Sequence, residues 1–140
     1  MKVTLLLADS AQAAEGKLYV LGGGWSVIGP DPAPMALAVK IEVPWSETNV
    51  KHVVVLELLT SDGEPVTADG PAGPEPIKVQ ADFEVGRPPG LKPGTPIDVP
   101  LAVNFAPFAL SPGQRYQWRL TIDGHQDEDW TVAFTTRNAR

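Results

Sequence analysis

Four stretches of this chain alternate apolar and polar residues with a period of two, and that pattern limits the fold more than any other feature. Leu37, Val39, Ile41 and Val43 share one phase, as do Ile77, Val79, Ala81, Phe83 and Val85. Ile97, Val99, Leu101, Val103 and Phe105 form a third set, and Tyr116, Trp118, Leu120 and Ile122 a fourth. Successive side chains of a strand point to opposite faces, so each stretch predicts a strand with one face in a core. No segment sustains a helical period, and parallel strand pairs would need crossover helices. About eight strands at the turn spacing of a sandwich or barrel predict an all-β, antiparallel β-sandwich, immunoglobulin-like or jelly-roll-like, in a single domain 1–140.

The stretch around which the rest is arranged is residues 16–29, GKLYVLGGGWSVIG. With residues 2–8 it is read as the first two strands of a sheet. The run Leu5-Leu6-Leu7 is apolar on both faces, which predicts a strand that is central or covered on its second face. The connection 9–16 is polar and small, with AQAAE long enough for one helical turn only. Gly22, Gly23 and Gly24 interrupt the second strand, and glycine inside a strand pattern marks a bulge or a close backbone approach. GPDPAP, 29–34, is a stiff turn. Residues 35–45 read as half-buried, and 50–59 as more buried. Ser61-Asp62-Gly63-Glu64 makes a hairpin turn with a short return strand near Pro65–Thr67, and ADGPAGPEP, 68–76, is a loop. Pro100 predicts an edge strand. Asp123-Gly124 opens the last hairpin, closed by Trp130, Val132, Phe134 and Thr136.

Composition narrows the function classes. The chain has no cysteine, which removes disulfides, thiolate metal sites and a cysteine nucleophile. Its net charge of −6 argues against nucleic acid and against an anionic membrane surface. With 13 glycines and 15 prolines it is rich in turns, yet 43% hydrophobic content exceeds that of a disordered chain. Val3–Ala8 is too short for the core of a secretory signal and Asp9 interrupts it, so a cytoplasmic location is expected.

The opening ADSAQAAEGKLYVLGGGW, residues 8–25, resembles a family of small bacterial proteins of unknown function. Their openings read Ala-Asp-x-Ala, then Gly-Lys-Leu, an apolar run and Gly-Gly. FEVGRPPGLKPGTPIDVPLAVNF and GQRYQWRLTIDG are similar to the actinobacterial branch of that family. The resemblance covers most of the chain, implies a β-sandwich in a cytoplasmic setting, and carries over no catalytic residue.

Few residue constellations offer chemistry. His125, Asp127, Glu128 and Asp129 share one loop, but the alternating ligands and central glycine of a calcium loop are missing, so a solvated loop without metal is expected. His52, beside Lys51 at a strand start, reads as a surface residue. Ser10, Ser26, Ser46, Ser61 and Ser111 lie in no nucleophile-elbow context. The triple glycine is followed by Trp-Ser-Val-Ile rather than by a helix, so it is not a dinucleotide fingerprint. Trp118 and Trp130 hold the core phase, while Trp25 and Trp45 sit near strand ends.

The arm GRPPGLKPGTP, 86–96, is longer than a hairpin needs, and its prolines hold it extended. Arg87, Leu91 and Lys92 would be its anchors if it touches another chain, although a plain crossover between sheets accounts for it as well. The expected function is a non-catalytic protein-interaction or structural module, binding a protein partner or its own copies, with no cofactor. The alternative is a small-ligand or carbohydrate module using Trp25 or Trp45.

Overall fold

In the computed structural model, which describes residues 1–140, the chain is built from strands and one 3-10 turn. In chain order they are β1 (Lys2–Ala8), β2 (Ser10–Ala14), β3 (Lys17–Leu21), β4 (Val27–Ile28), β5 (Met35–Val43), the 3-10 turn Trp45–Glu47, β6 (His52–Thr60), β7 (Thr67–Gly70), β8 (Gly73–Pro76), β9 (Lys78–Phe83), β10 (Ile97–Phe105), β11 (Arg115–Ile122) and β12 (Thr131–Thr136). A three-stranded sheet ordered β1-β5-β10 packs on a five-stranded sheet ordered β4-β12-β11-β6-β9. The predicted all-β sandwich architecture stands. Its pairings are antiparallel except for β4 with β12, which run parallel over Val27↔Thr135 and Ile28↔Thr136.

The core forms where the two alternating faces meet. Leu37, Val39, Ile41 and Val43 of β5 are fully buried against Trp118, Leu120, Leu56, Leu58 and Phe134 of the larger sheet. Trp118 is the largest side chain there, wholly removed from solvent, with Phe105 stacked on it at 5.0 Å between ring centroids. Tyr116 and Trp130 are buried as their phase predicts.

Several details depart from the sequence expectations. Residues 2–8 and 16–29 form no strand ladder with each other: β1 pairs with β5, and β3 pairs with β2. The connection 9–16 is a strand, not a helical turn. Ala11 of β2 faces inward and is buried together with Ala8, Ala36 and Ala38 in a second small cluster. Asn104 of β10 holds β2 by its backbone edge: the Ala11 N–H donates to Asn104 Oδ1 at 3.0 Å, and Asn104 Nδ2 donates to the Ala11 carbonyl at 2.8 Å. The β2–β3 hairpin thus lies on the outer face of the smaller sheet. Alanines at 36, 38 and 102 leave room for that approach, so β5 is buried on both faces along its first half rather than half-buried.

The central triple glycine is a close approach rather than a bulge within a continuing strand. Gly24 donates to the Leu7 carbonyl at 2.7 Å, and a Cβ on Gly23 would lie 2.6 Å from Val20 Cγ1. Gly22 and Gly24 have φ of 61° and 91°, a region that favours glycine. β1 proves to be an edge strand whose outer face is covered only at Ala8, leaving Leu6 exposed. Residues 67–76 form a small hairpin, β7–β8, rather than a loop.

Of the five residues expected inward on 77–85, only Phe83 is buried. β9 is an edge of the five-stranded sheet, and the opposing sheet has too few strands to cover it. A gap of about 140 Å³ lined by Val54, Leu56, Val79, Ala81, Leu101, Ala102 and Val103 opens between β9 and β10. Pro100 sits in β10, an edge as predicted, opposite Lys40.

Candidate binding surfaces

Three places combine exposure with unusual chemistry. The first is the outer surface of the β2–β3 hairpin. Seven large apolar side chains of the molecule are exposed, and four of them, Leu6, Tyr19, Val20 and Leu21, lie on β1 and β3. Tyr19 and Leu21 point outward together, while Ala11 and Leu18 of the opposite phase pack inward; Val20, paired with Ala11, shares that inward phase and sits exposed beside Gly23. Leu21 is 69% exposed. β3 pairs only with β2, so its outer edge carries unpaired backbone groups.

The second place is a cleft of about 880 Å³ where the triple-glycine segment, the 29–34 turn and the C-terminal residues meet. Trp25, Asp9, Asp31, Arg137 and Arg140 line it, with Pro32 and Pro34 on the turn. Trp25 is half-buried, packed edge-on against Phe134 at 6.0 Å, and its indole N–H is shut away from solvent without an acceptor. Arg137 is tied to the Gly29 carbonyl at 2.7 Å, and Arg140 pairs with Asp31 at 3.0 Å. Both signs of charge therefore face the cleft.

The third place is the opposite end of the sandwich, and here the structure corrects a sequence expectation. His52 is not a surface residue. It is 5% exposed, with Phe83 against its ring at 5.2 Å. Its Nδ1 lies 2.6 Å from Asp123 Oδ2 and its Nε2 2.8 Å from the Glu47 carbonyl. Asp123 also accepts the Val53 N–H at Oδ1, 2.9 Å away. A carboxylate and a carbonyl both only accept, so both ring nitrogens donate and the ring is an imidazolium. Burial pulls the His52 pKa down from 6.5, but the hydrogen bond to Asp123, the bond to the Glu47 carbonyl and the charges of both acids outweigh it, so the net shift is upward. The bonds from His52 and from the Val53 N–H hold Asp123 below its ordinary 3.8. A ring with both nitrogens committed has no free position from which to accept a proton.

The residues nominated from the sequence separate. Trp45 and Arg87 come together: the Arg87 guanidinium lies 4.3 Å over the indole, donates from Nη2 to the Trp45 carbonyl at 2.7 Å and from Nε to Thr48 Oγ1 at 2.8 Å. Leu91 and Lys92 are exposed further along the arm, and Trp25 stands alone in the cleft. His125, Asp127, Glu128 and Asp129 are exposed, and Asp127 Oδ1 accepts the Asp129 N–H at 2.9 Å. They form no cluster of three groups placed to hold a metal ion. The hairpin surface was missed because a Tyr-Val-Leu run reads as core. The signal that it was not lay in Ser10-Ala-Gln-Ala-Ala, small residues that alternate with a period of two.

No helix is long and apolar enough to cross a membrane. No curated protein and no solved structure matched the chain. A family model, described as a family of unknown function (DUF6941), matches residues 3–134. That match reaches into every strand of the two packed sheets, leaving out Lys2 of β1 and Thr135 and Thr136 of β12, and the chain therefore belongs to this family of unknown function.

Proposed function

We propose that this domain is a non-catalytic interaction module that binds protein, a partner or its own copies, through the outer face and free edge of the β2–β3 hairpin. The observation that carries the reading is that Tyr19 and Leu21 are exposed together on that outer face, beside an unpaired strand edge. Exposed apolar groups that cluster, unlike scattered ones, mark contact surfaces, and an open edge offers main-chain hydrogen bonds to an added strand. The setting we assign it is the cytoplasm of the small-protein family's actinobacterial branch. The test is to replace Tyr19 and Leu21 by serine in a tagged chain, then compare native mass and co-purifying protein with the parent. Loss of the higher mass or of a bound protein supports the reading. A parent that is monomeric and recovers no protein, or a variant that retains everything, contradicts it.

A second reading rests on the cleft at Trp25. Its volume lies in the range of small-ligand sites, and an indole wall flanked by acids and arginines suits a neutral polyhydroxy ligand such as a sugar. Titration with glucose and N-acetylglucosamine, read by tryptophan fluorescence in the parent and in Arg137→Ala, tests it. A saturable change lost in the variant supports a sugar site, and a flat titration rejects one for these sugars.

A further inference from the structure

The proline-rich arm leaves the domain through a chain of contacts that begins at His52. The His52 Nε2–H donates to the carbonyl of Glu47, in the 3-10 turn Trp45–Glu47. Thr48, which caps that turn, donates from Oγ1 back to the Trp45 carbonyl at 2.7 Å. The arm's root then fastens to the same turn: Arg87 bonds Trp45 and Thr48 and stacks on the indole, and the Asn49 N–H donates to the Val85 carbonyl at 2.7 Å. Beyond Arg87, residues 88–94 are exposed.

We propose that the proton on His52 holds the 45–49 turn and, through Trp45, Thr48 and Arg87, the root of the arm 86–96, and that loss of this proton as pH rises releases the arm. A neutral imidazole has one N–H. The charge-assisted bond to Asp123 is the stronger of the two, so Nδ1 keeps its hydrogen. The bare Nε2 lone pair then faces the Glu47 carbonyl oxygen, two acceptors at 2.8 Å, and the turn must move away. Arg87 has its inward hydrogen bonds to that turn alone, so its grip on the arm goes with it.

The charges around His52 support the device. Glu47 faces it from the turn, and Asp123 from the end of β11. His125, Asp127 and the Met1 end line the adjoining space, with Trp130 and Ile122. On the β9 side the contact is the Phe83 ring, and the neighbouring Asp82 is paired with Lys51 at 3.3 Å. The Asp123 carboxylate on Nδ1, the Glu47 carbonyl on Nε2 and the charge of the Glu47 side chain favour the protonated form, in line with the upward shift of its pKa.

The experiment is an NMR titration of the whole chain from about pH 5 to pH 10, following the His52 ring and the backbone amides of Asn49, Gly86, Arg87, Gly90, Leu91 and Lys92. The expected result is a His52 midpoint above 6.5. At that midpoint, protection of the Asn49 amide, corrected for intrinsic exchange, falls about tenfold, as loss of one charged hydrogen bond requires. The arm amides gain fast motion with the same midpoint. Arg87→Gln separates the parts: its arm is mobile at low pH while His52 keeps its midpoint. The proposal is overturned if Asn49 and the arm do not change as His52 titrates, if His52 titrates at or below 6.5, or if the arm of Arg87→Gln still follows His52.

Discussion

The indole N–H of Trp118 donates to the thioether sulfur of Met35 at 3.3 Å, and this bond joins the two sheets through the middle of the core. Both residues are fully buried, so the indole has no water to turn to. Met35→Leu keeps the volume and removes the acceptor, and should lower stability by about 1–3 kcal/mol, the cost of leaving a buried donor unpaired. Trp118→Ala removes the largest side chain of the core and should cost about 3–5 kcal/mol. Urea midpoints of the two variants check both values. A midpoint for Met35→Leu equal to that of the parent would show the sulfur contact to be incidental.

Asn104 is the one side chain that sews the β2–β3 hairpin to β10 by two hydrogen bonds to the same residue. Asn104→Ala should cost about 1–3 kcal/mol. Its effect should also be local: amide exchange of Ala11 and its β2 neighbours should speed up while that of β11 keeps step with global unfolding. Uniform acceleration across all strands would mean that the hairpin is not a separately opening unit.

The pair His52–Asp123 makes stability depend on pH at both ends. His52 is raised in the folded state, so its contribution is complete below its unfolded value of 6.5 and is lost as pH rises through the higher folded value. Asp123 is lowered, so its contribution is complete above 3.8 and is lost as pH falls through the lower folded value. Stability from this pair should therefore peak between 3.8 and 6.5. Asp123→Asn should flatten the alkaline limb, since the neutral amide no longer holds the imidazolium. Denaturation midpoints measured from below 3.8 to well above 6.5, for parent and variant, provide the check, and an unchanged alkaline limb in the variant would contradict the assignment.

Period two made the core strands legible. Val39 and Trp118 could be placed inward from sequence because alternation states which face is apolar, and both are fully buried. It does not state what lies opposite that face. Val79 and Ala81 have the same phase as Phe83 but sit over a gap, because strand order decides how many strands face an edge. The β2–β3 hairpin was hidden for a related reason: Ala36 and Ala38 look too small to form a second core until a partner strand is known to lie on them. His52 was misread because its neighbour Lys51 suggested surface, whereas its two acceptors come from Glu47 and from Asp123, the latter distant in sequence. Trp45 and Arg87 were each picked out, but nothing in their spacing shows that they bind one another.

Tyr19 and Leu21 are exposed and touch no buried cluster, so serine at both should leave the thermal midpoint nearly unchanged, within about 0.5 kcal/mol each. A marked destabilisation would show that these side chains serve the fold rather than contact.

The central claim is that protein binds at the hairpin, and amide hydrogen exchange of the isolated domain against the domain in its recovered complex or oligomer tests it most directly. The account predicts slowed exchange at the outer-edge amides of Lys17–Leu21, with β11 unchanged. Protection confined to any other surface, with Lys17–Leu21 exchanging as fast as in the free domain, would contradict it.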